Sequence, residues 1–282
     1  MKRVALINDL SGFGRCSLTA AIPVISVMGH QACPLPTAVL TSQTEFDDYY
    51  CDDFTDRMDR FTEQWRKLEI SFDGIYSGYL TGYLQIEKLL HFLEVFEKED
   101  TFYLADPVMG DEGVQYDMFN EQFLRGMREL THRADVITPN LTELCLLAGE
   151  DYGEVISHSR DVDYIKRIQT ISENLIAKAQ KPQTVMVTGI LREMGGLTYI
   201  GNLAVTAKES FYVENDYTGT HFSGTGDLFA SIVCGALLKG LSAREAIEKA
   251  TAFLQMAIAD ASAENIPPNH GVQFEKYLSQ LL

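Results

Sequence analysis

Short apolar and β-branched runs alternate along this chain with longer segments in which apolar residues recur at the helical period. The runs Val4–Ile7, Gly74–Ser77, Thr101–Ala105, Asp135–Thr138 and Thr184–Thr188 predict buried strands. Between them Cys16–Met28, Leu84–Glu97, Asn120–Thr131, Leu141–Ala148 and Ile165–Ala179 predict helices. This alternation predicts an α/β architecture, a mainly parallel sheet with helices on both faces. The last third reads differently. Leu197–Val205 and Glu209–Val213 predict short antiparallel strands, followed by an apolar helix over Leu228–Leu238. Ser242 and Glu245 fit a capping box that opens a last long helix over Ala243–Ala261. No proline-rich or glycine/serine-rich stretch divides the 282 residues and no repeat is visible, so a single domain over residues 1–282 is expected.

In open parallel sheets ligands sit beyond the carboxyl ends of the strands. There the sequence places Asn8-Asp9, Ser77-Gly78-Tyr79, Asp106-Pro107, Pro139-Asn140 and Thr188-Gly189. Turn chemistry alone accounts for many of these.

Charge narrows the partners. A formal net charge of −17 argues against a nucleic-acid or anionic-membrane surface, both of which would repel the chain. It leaves a nucleotide possible, because phosphates can be held by backbone N–H groups, a helix N-terminus and a divalent cation. The start, MKRVALIND, has too short an apolar core for a signal peptide and reads as a first strand. No apolar run is long enough to cross a bilayer. The five cysteines (Cys16, Cys33, Cys51, Cys145, Cys234) are scattered, with no CxxC pair, so a cytoplasmic setting is expected.

The strongest chemical signal is Gly224-Thr225-Gly226-Asp227 at the start of an apolar helix. Glycines let successive N–H groups turn into one concavity, and the helix N-terminus adds about half a positive charge there. Such a place suits a phosphoryl group in transfer, and an aspartate beside it can take the proton of an attacking hydroxyl. A glycine turn with Asp227 balancing the helix dipole fits these residues equally well.

The segment Phe222–Ser231, FSGTGDLFAS, resembles the anion-hole motif of ribokinase-like kinases. That resemblance implies a three-layer α/β/α sandwich, Asp227 as catalytic base, and Gly224, Thr225 and Gly226 as the anion hole. Asp106–Asp111, DPVMGD, resembles the vitamin-kinase branch, which includes pyridoxal and hydroxymethylpyrimidine kinases. A strand-terminal aspartate suits Mg²⁺, which keeps several waters and takes few carboxylates. Thr138–Glu143 resembles the N-x-x-E motif of the same kinases, and Asn140 with Glu143 also fits a helix cap. The resemblance implies Asp106 and Glu143 at the metal, and Asn140, Thr188, Gly189 and Gly226 at ATP.

Phe13-Gly14, Pro34–Thr37, Gln43-Thr44 and Ser77–Leu80 resemble pyridoxal kinases in order and spacing, in segments that surround the pyridine ring. Thr44 and Tyr79 match ring-contacting positions. Asp9 stands where many pyridoxal kinases carry serine, and Gln43 where some carry histidine; both bear on which vitamer is preferred. The reaction implied is transfer of the ATP γ-phosphoryl group to the hydroxymethyl oxygen of a B6 vitamer. Mg²⁺ accompanies ATP, a monovalent cation such as K⁺ is a further cofactor, and the assembly is a homodimer. The rivals are a hydroxymethylpyrimidine kinase, a sugar or nucleoside kinase, and a non-catalytic vitamer-binding protein on the same fold.

Other signals carry less. Gly12–Ser17 imitates a dinucleotide fingerprint but ends in serine, and a GxxxxGK[ST] loop is absent. His221 reads as structural, and Cys16 as a small packed residue despite its place at a helix start. The acidic stretch Glu45–Asp56 reads as a solvated loop or helix face. Glu112–Asp117 reads as a mobile lid over ATP.

Overall fold

The computed structural model describes residues 1–116 and 119–282. The chain begins with strand β1 (Arg3–Ser11), helix α1 (Ser17–Val27), β2 (Gln31–Leu40), β3 (Cys51–Asp53) and α2 (Thr55–Lys67). It continues with β4 (Gly74–Ser77), α3 (Tyr83–Phe96), β5 (Phe102–Ala105), β6 (Gly110–Asp111), β7 (Val114–Gln115), α4 (Glu121–Arg133) and β8 (Val136–Ile137). Then come α5 (Leu141–Ala148), α6 (Tyr152–Ser157), α7 (Tyr164–Ile176), β9 (Thr184–Met194), β10 (Leu197–Val205) and β11 (Ser210–Asp216). The helices α8 (Thr225–Leu238) and α9 (Ala243–Ala263) follow, and two 3-10 turns, Pro268–His270 and Phe274–Leu281, end the chain.

Nine strands form one sheet in the order β11-β10-β9-β8-β5-β4-β1-β2-β3. The six from β9 to β2 run parallel, while β10, β11 and β3 are antiparallel to their neighbours. Side-chain alternation splits the core into two layers. Ala5 and Ile7 of β1 face one side with residues of α3, α4, α5 and α7. Val4 and Leu6 face the other with α1, α8 and α9. This is the three-layer α/β/α arrangement expected, including the capping box at Ser242, whose hydroxyl accepts from the Glu245 N–H at 3.3 Å.

Several elements depart from the sequence expectation, β2, β3 and α2 among them. β2 carries Pro34 and Pro36, which weaken any strand assignment. Its outer neighbour β3 pairs only with Ala38–Leu40, so both prolines lie beside an open edge, where a residue without an N–H is tolerated. The acidic stretch Glu45–Asp56 contributes that edge strand, and α2 follows it. About half of α2 is charged, yet Met58, Phe61 and Trp65 recur at helical spacing and meet the core layer that holds Ala5 and Ile7.

The strand order reverses between β1 and β4: β1 leads outward to β2, whereas β4 leads the other way to β5, β8 and β9. The carboxyl ends of β1 and β4 therefore mark the switch point, the usual ligand position in such a sheet. The proposed lid over Glu112–Asp117 extends to Asp117, outside the described residues. Its described part is the β6–β7 hairpin, tied down by the Gly113 N–H donating to Thr142 Oγ1 at 2.8 Å.

Candidate active site

Helix α8 starts beside helix α1, close against Arg15 and Cys16. Gly224 takes φ +77° there, and a Cβ on it would overlap the Arg15 carbonyl oxygen. Only glycine meets both demands. Asp227 sits in the first turn of α8, half-buried. Asn8, at the end of β1, donates from Nδ2 to Asp227 Oδ1 at 3.0 Å. The Ser17 N–H, at the start of α1, also donates to Asp227. Ser17 itself takes φ 47°, a left-handed value uncommon for a side-chain-bearing residue and frequent at functional sites.

Asn8 does more than hold Asp227. Its Oδ1 accepts from the Tyr79 N–H at 2.8 Å and the Asp9 N–H at 3.0 Å. Gly78 must be glycine for this to work, because a Cβ there would run into the Asn8 amide. One side chain thus fixes the ends of β1 and β4 against the start of α8. The sequence places Asn8 at a strand end but gives it no role. Its neighbour Asp9 carries charge and draws the eye, while the value of Asn8 depends on three segments meeting in space.

Burial pushes the Asp227 carboxyl up to about 6; the Asp9 charge adds to this, while the Ser17 and Asn8 donors oppose it. It is therefore mostly ionised at neutral pH yet basic enough to accept a proton. Asp9 is raised too, chiefly by burial, against hydrogen bonds from the Ser17 and Ser11 hydroxyls. Cys16 is pushed up by burial and by the charges of Asp227 and Asp9, so its thiol stays protonated and serves as packing.

A cavity of about 460 Å³ opens next to Asp227. Asp106, Asn140, Glu143, Thr188, Gly189, Gly224, Thr225 and Gly226 line it together with Asp227. These are the residues assigned from sequence to base, anion hole, ATP and metal. Beyond them Leu141, Ile156, Leu254 and Ile258 give the cavity an apolar end. Among the described residues no lysine or arginine lines it.

Asn140 and Glu143 form a complete capping box at α5. Asn140 Oδ1 accepts from the Glu143 N–H at 2.9 Å, and Glu143 Oε2 accepts from the Asn140 N–H at 2.8 Å. Asn140 Nδ2 donates to the Gly110 carbonyl at 2.8 Å, and Glu143 Oε1 accepts from the Met109 N–H at 3.1 Å. The Asn140 side chain thus caps α5 and ties the loop after β5 to it. Thr138 Oγ1 donates to Asp106 Oδ1 at 3.0 Å, so Thr138 is a further positioning residue.

Asp106 and Glu143 are both held well above the usual carboxylate range, first by burial and then by negative neighbours, Asp227 for Asp106 and Asp106 for Glu143. Two buried carboxylates that repel one another, in a cavity that no lysine or arginine lines among the described residues, form a donor set that fits a divalent cation. The sign has a testable consequence. A carboxyl with a raised folded-state pKa favours the fold while protonated, and that advantage is lost as pH rises through its folded value. Without ligands, Asp106→Asn should gain stability relative to wild type between pH 5 and pH 8, by at least about 1 kcal/mol at the upper end. Thermal melts at both pH values read this directly, and an unchanged difference would refute it.

The ring-contact candidates lie apart from that cavity. Asp9 and Tyr79 join Asp227 through Asn8, as described above. Thr44 stands exposed on the loop between β2 and β3. Gln43 is buried and both ends of its amide are engaged: Nε2 donates to the Asn269 carbonyl at 3.0 Å and Oε1 accepts from the Glu45 N–H at 2.9 Å. It ties that loop to the C-terminal segment. Phe13, Phe46 and His270 cluster beside it, with Phe13 and His270 ring centres 5.0 Å apart. His221 lines the cavity mouth, 3.6 Å from Asp111 of the β6–β7 hairpin.

This sheet, with an aspartate in the first turn of a glycine-led helix beyond its switch point, defines the ribokinase-like class. Within that class the chain belongs to the phosphomethylpyrimidine kinase family, which it matches over residues 15–273. A protein of Bacteroides thetaiotaomicron from this family, crystallised with pyridoxal, is 36% identical with a TM-score of 0.89, covering 99% of this chain and 95% of its own. Pyridoxal kinase of Lactobacillus plantarum is 26% identical with a TM-score of 0.88, covering 100% and 97%. A pyridoxine/pyridoxal/pyridoxamine kinase of Bordetella avium is 30% identical over 158 residues, 55% of this chain. Such matches to curated relatives span about half of those relatives' length, 49% in the Bordetella case.

Proposed function

We propose that the protein is a B6-vitamer kinase, transferring the γ-phosphoryl group of ATP to the 5′-hydroxymethyl oxygen of pyridoxal, pyridoxamine or pyridoxine. The observation that carries this is Asp227. It is a half-buried, basic carboxylate in the first turn of a glycine-led helix, opening on a cavity on one side and joined through Asn8 to Asp9 and Tyr79 on the other. Nucleotide and alcohol can thus approach one carboxylate from different directions.

Asp227 would accept the hydroxyl proton as the oxygen attacks, and Asn8 and Ser17 hold its carboxylate in place. The N–H groups of Gly224–Gly226 and the positive end of α8 face the phosphoryl group in transfer, where charge develops. The tyrosine ring of Tyr79 offers an aromatic face, and Thr44 a hydroxyl, to the vitamer. Mg²⁺, held by Asp106 and Glu143 partly through water, would supply positive charge to the phosphates. A monovalent cation, a homodimeric assembly and a cytoplasmic setting belong to the same reading and rest on resemblance alone.

A hydroxymethylpyrimidine is the competing alcohol, since the phosphate machinery would be shared. The pyridoxal bound by the Bacteroides relative favours the vitamer. The test is phosphorylation of the three vitamers and of hydroxymethylpyrimidine by the purified protein with Mg-ATP. Product from a vitamer is expected. Turnover of the pyrimidine alone would move the protein to the other substrate, and no turnover of either would refute the kinase reading.

A further inference from the structure

We infer that the site is built for the amine form of its vitamer, and that Asp9 is the residue that selects it. The substrate class is a pyridine ring with a protonated aminomethyl group next to the hydroxymethyl group that is phosphorylated. This rests on the vitamer reading above and narrows it.

Asp9 lies near the end of β1 with only 6% of its surface exposed. Its Oδ2 accepts from Ser11 Oγ at 2.9 Å, and the Ser17 hydroxyl is its other side-chain donor. No cation pairs with it among the described residues. Two hydroxyls and its own backbone N–H still leave part of an ionised carboxylate unsatisfied, since it can accept about four hydrogen bonds. A buried carboxylate without a counter-charge is costly and is retained where a partner arrives to meet it.

The geometry says where that partner must stand. Ser17 donates its hydroxyl to Asp9 and its backbone N–H to Asp227, so one residue holds both carboxyls. Asn8 accepts from the N–H groups of Asp9 and Tyr79 and donates to Asp227, as given above. The Asp9 charge acts on the Tyr79 hydroxyl and on the Asp227 carboxyl alike. Base, second carboxylate and aromatic residue are therefore tied side by side through Asn8 and Ser17.

Ring chemistry selects the group that fills it. In a B6 vitamer the 4′ substituent stands on the ring carbon adjacent to the one bearing the hydroxymethyl group, while the ring nitrogen is two ring bonds away. A carboxylate held beside the base meets the 4′ group first. In pyridoxamine that group is an alkylammonium, charged at neutral pH as a lysine is; in pyridoxal and pyridoxine it is neutral. An ammonium there supplies the counter-charge that Asp9 lacks, and its field also favours the ionised form of Asp227 that accepts the proton.

The experiment compares kcat/KM for pyridoxamine and pyridoxine, at pH 7.5 with Mg-ATP, in wild type, Asp9→Asn and Asp9→Ser. Wild type should favour pyridoxamine by roughly 10–100-fold, the size of a charge-assisted hydrogen bond to a desolvated group. The ratio should fall toward unity in both variants, a change that mere loss of folded protein would not produce because it scales both substrates alike. Equal kcat/KM for the two vitamers in wild type, or an undiminished ratio in a variant, would overturn the role of Asp9 and leave the kinase reading intact. Phosphorylation of no vitamer would overturn both. Should the variants fail to fold, the wild-type ratio alone decides.

Discussion

Replacing Asp227 with asparagine is expected to lower kcat for vitamer phosphorylation by roughly 10²–10⁴-fold, the usual loss on removing a general base. Asparagine keeps the shape, so the hydrogen bond with Asn8 can persist through the amide oxygen and the fold should survive. The loss should fall on kcat, with KM for ATP little changed, because the carboxylate acts on the alcohol and not on the nucleotide. The pH profile provides a second readout. Asp227 is held at about 6, chiefly by burial, and it works only when ionised. Wild-type kcat/KM should therefore rise with pH across that value and decline below it, and this rising limb should vanish in the variant. A variant with wild-type turnover would remove Asp227 from the chemistry. A retained limb near pH 6 would assign that titration to another group.

Replacing Gly224 with alanine is expected to cost about 3 kcal/mol or more of stability and to abolish most activity. Two effects add. A side chain at φ +77° is strained by about 1–2 kcal/mol in itself. The new Cβ would also overlap the Arg15 carbonyl, so the start of α8 must move away from the start of α1. That movement separates Asp227 from Ser17, and withdraws the glycine amides from their place beside the cavity. Gly226→Ala is the informative contrast, since nothing lies within 4 Å of a Cβ built there. It should fold with near wild-type stability, and its activity then reports whether that position needs close approach of a phosphate. Denaturant unfolding of both variants separates the two effects. Equal stability of Gly224→Ala and wild type would refute the packing account.

The sequence by itself determined the alternation of strand and helix, and with it the layered sheet. Periodicity is a local property, and β1, β4, β5, β9, α3, α5 and α8 can be read from a few residues each. It also determined the chemical vocabulary at Gly224–Asp227, Asp106 and Asn140–Glu143, because tight turns, helix starts and strand ends demand particular residue types nearby in sequence. What it missed is non-local or charged. β2 holds prolines that only an open sheet edge excuses, and α2 shows its apolar stripe only when Met58, Phe61 and Trp65 are given a core to face.

The tertiary structure alone decided how the site is held together. Asn8 gains its role because the end of β1, the end of β4 and the start of α8 converge, residues 219 positions apart in the case of Asn8 and Asp227. Gln43, a substrate-binding candidate from resemblance, ties the loop after β2 to the C-terminal segment. The unusual basicity of Asp227, and the repulsion between Asp106 and Glu143, likewise arise only when folding removes water and brings carboxylates together. A residue's type is fixed by the chain, but its charge state and partners depend on burial and on neighbours distant in sequence.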